Sequence, residues 1–286
     1  MAVPKRAGSG TSQVHGDIAG AKATRIHWQA WLPDGSALGV VVLAHGGLEH
    51  GGRYGHLGRR LAAEGLATYA ADFRGHGRSA GRRGQIGRLE LLVDDLGAAV
   101  TLARERHPRL PVFLIGHSLG AMVALQYVVR GDRDLAGMVL SGTGIDVSAI
   151  PRSQAILAKA LSVLTPNLGL MKLDAVGVSR DPEVVRQYDS DPLVFRGRVP
   201  VRTAAELLAS ASRVTPRLAA VRLPVLVMHG GDDVLAAPAG ARLVHDRVKS
   251  LDKTLIVFPG MYHEIFNEPE KEKVIARLIE WLTVRL

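Results

Sequence analysis

The chain has 286 residues, 47% of them apolar and 22% charged, close to soluble globular averages, and a length that suits one large domain or a domain carrying an insertion. It contains no cysteine, which excludes disulfides, thiolate-bound zinc and a thiol nucleophile and fits a reducing cytosol. The formal charge of +9 leaves open attraction to nucleic acid or to an anionic membrane surface. Residues 1–13 (MAVPKRAGSGTSQ) are basic without an apolar run, so they read as a flexible tail and not as a secretory signal. No stretch reaches the roughly 20 apolar residues of a membrane span, so a cytoplasmic protein with at most peripheral membrane contact is expected.

In chain order, residues 23–31 alternate well enough for an antiparallel edge strand. Near-continuous apolar runs follow at 40–44 (VVVLA), 67–71, 112–115 (VFLI), 138–140, 225–228 and 255–258, as expected of strands covered on both faces. Helix candidates lie between and after them at 54–64, 89–106, 121–130, 239–248 and 275–284. Such alternation predicts a mostly parallel sheet flanked by helices. It breaks between about 143 and 223, where 156–164 and 203–211 have helical character and the rest is rich in Asp and Arg. The domain reading is a core over 1–142, a helical cap insertion over 143–215 and the rest of the core over 216–286.

Gly116-His117-Ser118-Leu119-Gly120 fits G-x-S-x-G directly after the VFLI strand and directly before a helix. A sharp turn there raises the serine hydroxyl above the strand end, and small neighbours make room for it. A serine hydroxyl needs a base to take its proton, and in this arrangement the order is Ser, acid, His. Of the three histidines after Ser118, His229 reads as a strand-end structural residue and His245 as an exposed helix residue. His263, in the loop after the last strand, is the expected base. Asp232 and Asp233 both follow the preceding strand, and spacing alone does not separate them as the acid. His45-Gly46-Gly47 follows the VVVLA strand, so the Gly47 and Leu119 N–H groups are the expected oxyanion donors.

A metal site is not expected, because the histidines lack H-x-x-x-H spacing and thiolates are absent. Arg74, Arg78, Arg82, Arg83 and Arg88 crowd one segment with only Phe73 interleaved; this reads as a solvated basic face, and no nucleic-acid partner is expected. Ser118 at the elbow excludes chemistries that need a carboxylate nucleophile there.

HGGLEHGGRY (45–54), ADFRGHGRSAGRRG (71–84), GHSLGA (116–121), LTPNLGL (164–170), SRDPEVVRQYDSDPLVFRG (179–197), GGDDVLAAPAGA (230–241) and MYHEIFNEPEKEKV (261–274) together resemble the monoacylglycerol lipases of the α/β-hydrolase superfamily. The likeness runs from about Trp31 onward. It implies an α/β-hydrolase fold with an eight-stranded sheet and cap, hydrolysis of monoacylglycerols without a cofactor, and Ser118, Asp233 and His263 as the triad. Glu49, Arg53, His117 and Tyr188 match groups that the family aims at the glycerol head. The cap is expected to hold the fatty chain and to touch lipid. Rival readings are a broad carboxylesterase or lysophospholipase and, from another class, a ligand receptor that keeps the pocket but turns over little.

Overall fold

Each apolar run named above is a strand in the computed structural model, which describes residues 11–131, 134–147 and 151–286. The elements are β1 (Ser12–Ala19), β2 (Arg25–Leu32), β3 (Gly39–Ala44), α1 (Gly55–Ala63), β4 (Leu66–Ala71), α2 (Leu89–Arg106), β5 (Val112–His117), α3 (Leu119–Val129) and β6 (Gly137–Ser141). They continue as α4 (Arg152–Leu164), β7 (Gly169–Lys172), α5 (Pro182–Ser190), β8 (Arg198–Pro200), α6 (Val201–Val214), β9 (Val225–Gly230), α7 (Ala239–Arg247), β10 (Lys253–Phe258) and α8 (Lys271–Thr283). Eight strands form one sheet in the order β1-β2-β4-β3-β5-β6-β9-β10. The six strands β4, β3, β5, β6, β9 and β10 run parallel, while β2 pairs antiparallel with β4 and β1 antiparallel with β2.

Alternate residues of the central strands divide the core in two. Val40, Val42, Leu114, Val225 and Val227 pack with Leu92, Leu96, Val123 and Ala124 of α2 and α3. Val41, Leu43, Phe113, Ile115, Leu226 and Met228 pack with Leu57 and Leu61 of α1 and with Leu278 and Trp281 of α8. Two-sided burial is why these strands read as unbroken apolar runs. α3 is buried at every position, so it shows no polar face in sequence.

Three expectations are corrected. The strand at 23–31 is β2, but it is not the edge; β1 covers it, and residues 12 and 13, assigned to the tail, begin that strand. β1 (SQVHGDIA) is half-exposed along its length, and its Gly, His and Asp hide the alternation of Val14 and Ile18. The remaining tail residues, 1–10, lie outside the described residues. Between β6 and β9 the chain leaves the sheet through α4, α5 and α6 as expected, but it also forms an antiparallel pair, β7 with β8. Strands of four and three residues are too short to carry a periodic signal. Finally, the basic segment is solvated at Arg78, Arg82 and Arg88 only. Arg74 is buried, with Nε and Nη2 each 2.6 Å from the Asp95 carboxylate, and Arg83 reaches the carbonyls of Gly77 and Leu193. No helix among the described residues is long and apolar enough to cross a membrane.

Candidate active site

Ser118 joins β5 to α3 with φ 52° and ψ −114°, a conformation that L residues rarely adopt. Such strain costs on the order of 1–3 kcal/mol and persists only where the surroundings enforce it. They do so here by contact. A Cβ on Gly120 would stand 2.0 Å from the Ala44 carbonyl oxygen, and one on Gly116 would stand 2.5 Å from the Gly120 oxygen. The Ser118 N–H donates to the Ser141 carbonyl at 2.8 Å, which ties the turn to β6. α3 starts at Leu119, whose N–H is among the four that a helix start leaves without an intrahelical partner.

The loops after β9 and β10 bring the expected acid and the expected base together. His263 Nδ1 lies 2.7 Å from Asp233 Oδ2. Asp232 points to solvent, whereas Asp233 is buried, so burial separates two residues that spacing left equivalent. Asp233 Oδ1 accepts the Leu235 and Ala236 N–H groups at 2.9 Å each. Burial pushes the Asp233 carboxyl up. Hydrogen bonds from His229 and His263, the attraction of His263 and the Ala236 N–H outweigh burial and hold it well below the usual carboxylate range. His229 is buried at the end of β9, with Nε2 3.0 Å from Asp233 Oδ2 and 2.8 Å from the Ala236 carbonyl. His245 is part-exposed on α7 and remote from this pair in its hydrogen bonding.

The turn after β3 is organised by a carboxylate. Glu49 Oε1 accepts the Gly46 N–H at 2.6 Å and the Tyr54 hydroxyl at 2.7 Å. It is Gly46 that must lack a side chain, since a Cβ there would sit 2.6 Å from Glu49 Oε1; at Gly47 the nearest atom would be 3.7 Å away. His45 Nε2 accepts the Phe73 N–H at 2.9 Å and fixes the strand end behind the turn. Gly47 and Leu119 line one cavity with Ser118 and His263.

That cavity has a volume of about 260 Å³ and is lined by both apolar and polar side chains. Ile86, Met122, Leu173, Val199 and Leu207 line an apolar part, and Glu49, His117, Tyr188 and Glu264 line a polar part. Burial, followed by the neighbouring His263, keeps the His117 imidazole well below its ordinary pKa and hence neutral. The Tyr188 hydroxyl is buried and has no hydrogen-bond partner among the described residues; burial raises its pKa, so it remains a donor.

Arg53 stands behind this wall and does not line the cavity. Its Nη1 lies 2.5 Å from both Glu49 Oε2 and Glu264 Oε1, its Nη2 lies 2.7 Å from Glu264 Oε2, and its guanidinium carbon lies 4.7 Å from the Tyr188 ring centroid. Burial raises the Glu49 pKa against the attraction of Arg53. Glu49, His117 and Glu264 are close enough to share a metal ion, but the cation bridging both carboxylates is the Arg53 guanidinium. Glu264 and Tyr54 were not singled out in the sequence. Glu264 lies next to His263 in a loop that also holds Glu268 and Glu270, so it reads as one of several solvated acids.

Residues 35–270 match the family model described as "Serine aminopeptidase, S33". A monoacylglycerol lipase from Mycolicibacterium smegmatis is 42% identical over 97% of this chain and 99% of its own. A Homo sapiens monoglyceride lipase is 35% identical over 89% of this chain and 86% of its own. A crystal structure of the Paleococcus ferrophilus monoacylglycerol lipase superposes with a TM-score of 0.79 at 30% identity, covering 97% of this chain and all of that one. On sequence, sheet order and elbow together, the chain belongs to the monoacylglycerol lipase family, within the serine aminopeptidase S33 group of α/β-hydrolases.

Proposed function

We propose that this protein hydrolyses monoacylglycerols to a fatty acid and glycerol through an acyl-enzyme on Ser118. The observation that carries this reading is one cavity lined by Ser118, by His263 of the His263–Asp233 pair, and by both apolar and polar side chains. His263 Nε2 takes the Ser118 proton as Oγ attacks the ester carbonyl, while Asp233 holds the Nδ1–H and favours the imidazolium. The Gly47 and Leu119 N–H groups receive the oxyanion. The glycerol oxygen leaves with the proton from His263. Water then repeats the attack on the acyl-enzyme, and neither a metal nor a cofactor takes part in this route.

The polar part supplies acceptors at Glu49 and a donor at Tyr188 for two free hydroxyls, with His117 beside them; Arg53 acts here by holding Glu49 in place. Segment 143–215 acts as the cap: Leu173, Val178, Val199, Thr203 and Leu207 close the cavity from that side. Ile156, Leu157, Val163, Leu164 and Met171 are large apolar side chains left exposed on α4 and β7, which supports peripheral contact of the cap with a lipid surface. The experiment is turnover of monooleoylglycerol, beside lysophospholipid and short esters, by the wild type and by Ser118→Ala. Activity retained in the variant overturns the mechanism, and equal turnover of lysophospholipid overturns the substrate reading.

A further inference from the structure

Glu264 is placed with more care than a solvated loop acid requires. Its backbone N–H donates to the Val178 carbonyl at 2.9 Å, and Asn267 Nδ2 donates to Oε2 at 2.7 Å. Both carboxylate oxygens are engaged by Arg53, and the residue is 5% exposed. It also lines the cavity, next in sequence to the base. A side chain so fixed presents its charge at a constant place in the polar part.

The charge balance there is one-sided. Two buried carboxylates, Glu49 and Glu264, share a single guanidinium that has no face on the cavity. Tyr54 adds no charge, because burial followed by the Glu49 charge raises its pKa well above the ordinary phenol value. His117 is neutral for the reason given above. With both carboxylates ionised the network is net negative; with Glu49 protonated it is neutral. In neither state does the network carry a net positive charge for an anion to meet. A phosphate would have to strip Arg53 from Glu264 and leave that carboxylate buried and unpaired, a costly exchange. A hydroxyl, by contrast, can donate to either carboxylate and accept from Tyr188.

We propose that Glu264 is a specificity-determining residue: with Glu49 it lines the polar part of the cavity with carboxylate around an Arg53 that both side chains already engage, so that neutral polyol heads enter and phosphate-bearing heads are turned away. The inference rests on the reading that this part of the cavity holds the alcohol portion of an ester.

Affinity for non-hydrolysable ligands tests it apart from turnover. Ser118→Ala protein, with and without Glu264→Gln, is titrated calorimetrically with octyl glyceryl ether, its phosphate monoester and its primary amine analogue. Like-charge repulsion in a desolvated site should weaken the phosphate by about tenfold or more against the neutral ether in the parent, and Glu264→Gln should close most of that gap. The amine keeps the test readable if Glu264→Gln does not fold, because the parent alone must then bind amine more tightly than phosphate. A parent that binds phosphate as well as amine, or a folded Glu264→Gln protein with an unchanged gap, overturns the charge filter. Failure of the wild type to turn over monoacylglycerol overturns instead the reading of function, whatever the ligand affinities.

Discussion

His229 Nε2 lies 3.0 Å from Asp233 Oδ2, the same oxygen that meets His263 Nδ1 at 2.7 Å. Two imidazoles therefore hold one carboxylate oxygen. His229 also approaches the Ala236 carbonyl at 2.8 Å, an acceptor only, so its Nε2 carries the proton. Its Nδ1 is buried without a partner among the described residues. His229 is a positioning residue: it directs Asp233, and Asp233 directs His263. Replacing His229 by Phe should lower kcat by about tenfold with KM little changed, the pattern of a lost interaction made only in the transition state. Steady-state kinetics with a soluble nitrophenyl ester reads this split. A rise in KM at unchanged kcat would count against it.

The two adjacent aspartates should behave differently. Asp233→Asn should reduce kcat by about 10⁴, since an amide favours the wrong imidazole tautomer. Asp232→Asn, on an exposed side chain, should leave kcat near the wild-type value. Comparable losses in both variants would contradict the assignment of the acid.

Asp233 also carries a signature in acid. Its folded-state pKa is depressed, so its contribution to stability is fully present above the unfolded value of about 4 and is lost as pH falls from there toward the lower folded value. The difference in urea midpoint between the wild type and Asp233→Asn should therefore be constant above pH 5 and shrink below about pH 4. A difference that grows in acid would be the wrong sign.

Removing the shared cation should be expensive. Arg53→Met leaves Glu49 and Glu264 buried without compensation and should cost about 3–5 kcal/mol in urea unfolding. Glu49 already has a raised pKa, and without Arg53 it rises further. A raised pKa favours the folded state at low pH, so the variant should recover part of its loss at pH 5 relative to pH 8. Loss independent of pH would place the damage in packing instead.

Tyr188 separates stability from recognition. Its buried hydroxyl lacks a partner among the described residues, so Tyr188→Phe should leave the melting temperature unchanged or raise it. The same change should lower kcat/KM for monoacylglycerol by roughly tenfold while sparing a nitrophenyl ester that has no glycerol. Equal effects on both substrates would remove Tyr188 from head-group recognition.

Steric demand is unequal at neighbouring glycines. Gly120→Ala forces a Cβ to 2.0 Å from a backbone carbonyl oxygen and should abolish soluble expression. Gly47→Ala meets nothing closer than 3.7 Å and should melt with the wild type.

The parallel sheet, the strand–turn–helix at Ser118 and the interruption between β6 and β9 are written in the sequence, and the chain order Ser, acid, His picks His263 as the expected base. These are local or periodic properties: two-sided burial writes apolar runs, and a strand-to-helix turn under strain writes glycines at fixed offsets. It did not reveal β1, whose half-exposed residues leave a weak pattern, nor the β7–β8 pair, too short for one. Strand spacing leaves Asp232 and Asp233 equivalent and the family resemblance points to Asp233; folding adds that Asp233 is buried against His263 while Asp232 is exposed, because burial depends on which loop covers a residue and not on its spacing from the strand. Folding also decided the place of Arg53, expected to face the substrate and found behind two carboxylates. Glu264 acquired its role the same way: 211 positions separate it from Arg53, and only folding brings its charge to the wall of the cavity.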